Sequence, residues 1–170
     1  MKYDLFPISP EDREGIIDIF NYYIENSFAA YPERRVPYEF FDLFLQSTAG
    51  YPTAIAKNKS KTVLGFGMLR PYSPMPTLEG TAEITYFIRS DCIGKGIGST
   101  MLEYLLGRAR EKGLHCILAS ISSLNEGSIR FHSQRGFSEC GRFREVGKKY
   151  GNLFDIVWMQ KLLGLLEIRV

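Results

Sequence analysis

Histidine and tryptophan are scarce in this chain: two and one, respectively, among 170 residues. Cysteine is scarce as well, at Cys92, Cys116 and Cys140. None of these residues forms the short local pairs that a zinc framework needs, so no metal site is expected. An odd cysteine count with wide spacing gives no disulfide framework, and the three read as reduced thiols of a cytoplasmic protein. Cys116 falls in an apolar run and is assigned to the core, whereas Cys92 is assigned to the surface. No apolar run approaches the roughly 18 residues of a membrane helix, and the start Met1-Lys2-Tyr3-Asp4 lacks the apolar stretch of a signal peptide. Charge of one sign is also missing. The net charge is +2 and the basic residues form no stripe, which argues against a nucleic-acid partner. Glu33-Arg34-Arg35 and Lys148-Lys149 read as solvated surface. Repeats and low-complexity segments are absent.

What remains is an ordinary globular composition, 45% apolar and 24% charged, long enough for a single domain over 1–170 with a core of its own. Ser9-Pro10-Glu11-Asp12 is a helix start with a capping box, followed by Ile16, Ile17, Phe20, Tyr23 and Ile24 at helical spacing. A second helix is predicted from Pro37 to the stop at Gly50. Thr53 to Lys57 and Val63 to Leu69 flank a polar turn and read as a hairpin. The Pro- and Gly-containing stretch Tyr72 to Gly80 is a loop. Ala82 to Arg89 is a strand, Ser99 to Lys112 an amphipathic helix, His115 to Ile121 a buried strand and Asn125 to Gln134 a short helix. Strands at Phe137 to Phe143 and Leu153 to Lys161 finish the chain, and Tyr3 to Pro7 supplies a first strand. The order is that of a mixed α/β sheet with helices on both faces.

Between the strand at 82–89 and the next helix lies Gly94-Lys95-Gly96-Ile97-Gly98-Ser99. Glycines at alternate positions let backbone N–H groups converge, and the helix start adds the positive end of its dipole, which suits a phosphate or pyrophosphate. The pattern alone fits a plain tight connection equally well. It lacks the Gly-Lys-Ser/Thr ending of a P-loop, and Ser99 stands where a dinucleotide fingerprint needs glycine. Coenzyme A is the remaining nucleotide-type ligand.

Together with Asn125, Phe131-His132 and Gly136-Phe137, this loop resembles the GNAT N-acetyltransferases. The likeness is closer to their phosphinothricin and methionine sulfoximine acetyltransferase branch. It extends through Asn21-Tyr22-Tyr23-Ile24-Glu25-Asn26-Ser27, Gly141-Arg142, Val146-Gly147-Lys148-Lys149-Tyr150-Gly151, Asp155 and Met159-Gln160. The resemblance implies the GNAT fold, a mostly antiparallel sheet with splayed central strands, and acetyl-CoA as donor. It implies cofactor contacts at Tyr86, Phe87, Ile88, Gly94, Lys95, Gly96, Ile97, Gly98, Ser99 and Asn125. A backbone N–H near Phe87 or Ile88 would serve the acyl oxygen. The loop departs from the family in opening on Ile93 rather than Arg or Gln, which removes one polar contact.

Glu83, by strand alternation, is as readily a surface carboxylate as a buried one; the resemblance makes it the catalytic base. His132 is the second catalytic candidate, as a proton donor or shuttle, against a packing role. Asn125 has a second role open to it as a helix N-cap. Cys92 has no histidine near it in sequence, which argues against a covalent acyl-enzyme. Arg70 is a fork for a substrate carboxylate, with Tyr31 and Tyr72 as pocket walls; all three fit ordinary surface positions too. The implied acceptor is a small amino-acid analogue. The rivals are a polyamine, a protein amine, or a CoA-binding sensor without catalysis. The branch also implies a homodimer, with Phe40-Phe41 and Leu153-Phe154 as either interface or core.

Overall fold

The computed structural model describes residues 2–164; Met1 and residues 165–170, the two ends of the 1–170 span, lie outside the described residues. Seven strands, β1 (Tyr3–Phe6), β2 (Thr53–Asn58), β3 (Val63–Pro71), β4 (Thr81–Ile88), β5 (Cys116–Ser122), β6 (Ser138–Lys149) and β7 (Asn152–Leu162), form one sheet in the order β1-β2-β3-β4-β5-β7-β6. Only the β4–β5 pair is parallel. Four α-helices, α1 (Arg13–Asn26), α2 (Phe41–Ser47), α3 (Ile97–Glu111) and α4 (Glu126–Ser133), cover it. The mixed sheet between helical layers is the one the sequence order implies, and its mostly antiparallel pairing is the one the resemblance implies.

The two faces have separate cores. On one, Ile16, Ile17, Phe20 and Ile24 of α1 and Phe41 of α2 pack on Ile55, Phe66, Met68 and Phe87. On the other, Met101, Leu102, Leu105 and Ala109 of α3 pack on Ile84, Ile117 and Met159. Each leucine so buried contributes about 1.5–3 kcal/mol. Gly67 admits α3 to the sheet: a Cβ there would stand 2.9 Å from Met101 Sδ and 3.0 Å from Leu105 Cδ1.

The Ser9–Asp12 capping signal forms, with the Ser9 N–H and Oγ–H both donating to Asp12 Oδ2 at 2.9 Å. It closes a 3-10 turn over Pro10–Asp12 first, and α1 proper begins at Arg13. Asp12 also takes the Lys57 ammonium at 2.5 Å, tying the start of α1 to β2.

Two surface assignments are overturned. Cys92 is 1% exposed, because the turn over Ser90–Cys92 folds its side chain into the α3 core. Lys149 is fully buried. Its three ammonium protons meet three backbone acceptors, Ile24 O at 2.7 Å, Ser27 O at 2.7 Å and Ala30 O at 2.6 Å. A lysine can be buried where all its donors are satisfied, and this one straps the end of α1 and the following loop to β6. Phe41 and Phe154 are core. β6 runs to Lys149 rather than stopping at Phe143; two register shifts break its alternation, and nearly every residue along it is exposed. It turns into β7 at Tyr150-Gly151, both with positive φ, as a tight hairpin requires.

Candidate active site

The parallel ladder between β4 and β5 pairs only Thr81–Glu83 with Cys116–Leu118. Beyond Glu83, β4 keeps its partner β3 while β5 continues with β7, so the two central strands part. The antiparallel ladder with β3 uses the odd residues of this stretch, with the Arg89 N–H donating to Leu64 O at 2.8 Å and the Tyr72 N–H to Thr81 O at 3.2 Å. Alternation then turns the Ile84, Tyr86 and Ile88 N–H groups toward the gap and that of Phe87 toward β3. Of the two positions expected to serve an oxyanion, Ile88 has the required direction.

A cavity of about 860 Å³ opens at this split. Even-numbered β4 side chains join the α3 core and Phe87 joins the α1 core. The cavity therefore has two ends, one on each side of the sheet. Glu83, Arg70 and Tyr31 line it, as do Tyr86, Ile88, Asn125 and His132. So do Gly94, Gly96, Ile97, Gly98 and Ser99 of the loop, and Phe87. Lys95 is exposed and is not in the cavity wall, and Tyr72 stands edge-on to Trp158 outside it.

At the α3–α4 end, Gly94 and Gly96 have φ of +77° and +83°, a conformation that costs other residues strain. It lets the chain turn straight into α3, whose first N–H groups have no intrahelical partner. Asn125 caps α4 by accepting the Ser128 N–H at 3.3 Å while also lining the cavity. His132 Nδ1 lies 2.8 Å from the Ser128 carbonyl, and Nε2 lies 2.8 Å from Tyr86 Oη. A carbonyl only accepts, so the neutral ring carries its proton on Nδ1 and Nε2 accepts the Tyr86 hydroxyl proton. Burial lowers the His132 pKa and raises that of Tyr86, and both groups stay neutral. The sequence pointed to His132 as the polar group here; its coupling to Tyr86 required the fold.

At the α1 end, Arg70 and Glu83 are register partners across β3 and β4. Arg70 Nη2 and Nε donate to the same oxygen, Glu83 Oε2, at 2.5 and 3.2 Å. Glu83 Oε1 thus keeps its lone pairs for a further donor. The Tyr31 hydroxyl donates to Ser120 O at 3.4 Å and its ring stacks on Phe154.

Tyr23 and Arg135 also line the cavity, and the sequence assigned neither of them to it. Tyr23 crosses from α1 to donate to Ile88 O at 2.6 Å, with its pKa pushed up to about 12 by burial. Its place in the helical stripe of α1 gave only a packing role. Arg135, just past α4, reaches back to Ser99, and no spacing rule connects those positions.

A glycine turn at a helix start, a split in the sheet, and a carboxylate beyond it share one cavity that opens on both sides of the sheet. Residues 16–137 match the model of the acetyltransferase (GNAT) family, and the chain belongs to that family. It is an acetyltransferase with acetyl-CoA as donor. An L-methionine sulfoximine/L-methionine sulfone acetyltransferase of Pseudomonas paraeruginosa is 34% identical over 88% of each chain. Among solved structures, a phosphinothricin acetyltransferase of Sinorhizobium meliloti in complex with AcCoA is similar at a TM-score of 0.89. It is 27% identical, with 96% of this chain and 90% of that one covered. A ribosomal-protein-alanine N-acetyltransferase of Brucella melitensis has a TM-score of 0.87 at 30% identity, over 94% and 99% of the two chains. Among the described residues no helix is long and apolar enough to cross a membrane.

Proposed function

We propose that this enzyme acetylates the α-amino group of a small amino acid or close analogue of the methionine sulfoximine or phosphinothricin type, by direct transfer in a ternary complex. The observation that carries this reading is the Arg70–Glu83 pair, which faces the same cavity as the glycine loop. An α-amino acid presents an ammonium beside a carboxylate, and the pair offers a carboxylate beside a guanidinium. Among the described residues Glu83 is the only carboxylate in the cavity lining, beside two arginines, which disfavours a dicationic or tricationic polyamine.

Acetyl-CoA supplies the acyl group as a thioester. Its phosphates suit the N–H groups of Gly94 to Ser99 and the start of α3, with Asn125 beside them. Glu83 Oε1 accepts the ammonium proton and leaves a nucleophilic amine. The Ile88 N–H, directed into the gap, is the donor for the acyl oxygen. Tyr86 and His132 hold a proton at Tyr86 Oη, available on the thiol side. Arg70 retains donors for the acceptor carboxylate, and Tyr31 forms the wall beside it.

We also read the protein as a cytoplasmic homodimer. Three free cysteines suit a reducing compartment. Exposed Phe143, Val146 and Leu153 on the β6–β7 hairpin give an apolar edge suited to a second copy. Phe41 and Phe154 are core and play no part in it.

The test is free-thiol release from acetyl-CoA with methionine sulfoximine, phosphinothricin, spermidine and an alanine-terminated peptide. Release with the first two supports the reading. Release with the peptide or spermidine alone overturns the acceptor, and CoA binding without release to any amine leaves a sensor module.

A further inference from the structure

Arg135 combines three features that point to a bound anion. Its Nη2 donates to Ser99 Oγ on the first turn of α3, and its Nη1 donates to Phe131 O at 3.3 Å. Its guanidinium carbon lies over the Phe131 ring, 3.7 Å from the centroid. This planar group has five N–H donors, and these two bonds leave others free on a residue that lines the cavity. Among the described residues it has no carboxylate within ion-pair distance.

Its position is electrostatically unfavourable without an anion. The start of a 15-residue helix is itself positive, and a guanidinium held against that turn repels it. The charge also reaches inward, since it helps depress the His132 pKa. Meanwhile the loop has no cation of its own in the cavity: Lys95 is exposed outside the wall, and Ile93, which is in the wall, is apolar. The other cavity arginine, Arg70, is engaged by Glu83.

Resting on the acetyl-CoA reading of this cavity, we infer that Arg135 supplies the cation for the donor's phosphate groups that position 93 of the loop does not. It is a donor-binding residue delivered from the turn after α4 and held in place by Phe131 and Ser99.

The test is calorimetric titration of acetyl-CoA into the full chain and into Arg135→Leu and the double variant Arg135→Leu/Ile93→Arg, with the unliganded melting temperature recorded for each. A charge-assisted contact predicts roughly 10- to 100-fold weaker binding in the single variant. Recovery of most of that loss in the double variant is also expected, because position 93 faces the same cavity. Binding within about twofold of the parent in Arg135→Leu, or a loss that the Ile93→Arg change does not restore, overturns the inference; the second result would assign the loss to α3–α4 packing. A parent chain that binds no acetyl-CoA overturns instead the reading of the site on which it rests.

Discussion

Replacing Glu83 by Gln removes one proton acceptor and almost nothing else. The side chain keeps its size, and its amide oxygen can still accept from Arg70. The lost ion pair is partly wet, with the Arg70 side chain 47% exposed, so its stability cost is only about 0.2–1 kcal/mol. The chemical cost is far larger, because an amide cannot take the ammonium proton. Loss of a general base lowers turnover about 10²- to 10⁴-fold. Glu83 sits on the α1 side of the sheet and the loop on the α3 side, so the KM for acetyl-CoA should stay within about twofold. Steady-state thiol release at saturating acceptor, with acetyl-CoA varied, reads both numbers. Unchanged kcat would remove Glu83 from the chemistry, and a large rise in the acetyl-CoA KM would refute the two-ended cavity.

Three further outcomes follow from other contacts. Lys149→Met leaves the carbonyls of Ile24, Ser27 and Ala30 without their buried donor and should cost about 2–5 kcal/mol in urea unfolding; a loss under about 1 kcal/mol would show that the strap is dispensable. Burial holds the folded-state pKa of His132 below its ordinary 6.5. Between the two values the unfolded chain binds a proton that the folded chain does not, so stability rises with pH up to 6.5 and is then level in this contribution. The slope should shrink in His132→Phe, measured as urea midpoints at about pH 5.5 and pH 7.5. Tyr86→Phe deletes the hydroxyl held by His132 and should lower kcat with little change in either KM, which the same thiol assay reads.

Much of the fold was legible because its signals are local. The Ser9–Asp12 cap, the hairpin around Asn58–Lys61 and the glycine turn into α3 all appear where spacing places them. What failed was whatever depends on distant partners. Lys149 looks like a surface lysine because nothing near it in sequence reveals three carbonyls more than a hundred residues away. The second half of β6 was lost because bulges between Glu139 and Gly141, and between Phe143 and Gly147, break the period of two. Within the site, Glu83, His132, Asn125 and the loop apart from Lys95 were named from sequence and line one cavity. Arg70 and Glu83 were assigned separate tasks, and only register pairing brings them together as one ion pair. Arg135 lies outside the quoted motifs, and the segment around Tyr23 does not reveal that its side chain reaches the cavity.

On the proposed function, Arg70 and Glu83 recognise the two ends of an α-amino acid. This recognition is tested most directly by comparing kcat/KM for an accepted L-amino acid with that for its decarboxylated amine, in the parent and in Arg70→Met. Any effect of the substitution on Glu83 cancels in this ratio. A parent preference for the carboxylate-bearing acceptor that collapses at least about tenfold in the variant is the predicted result, as loss of a charge-assisted contact requires. An equal preference in both proteins would rule out Arg70 as the group that reads the carboxylate.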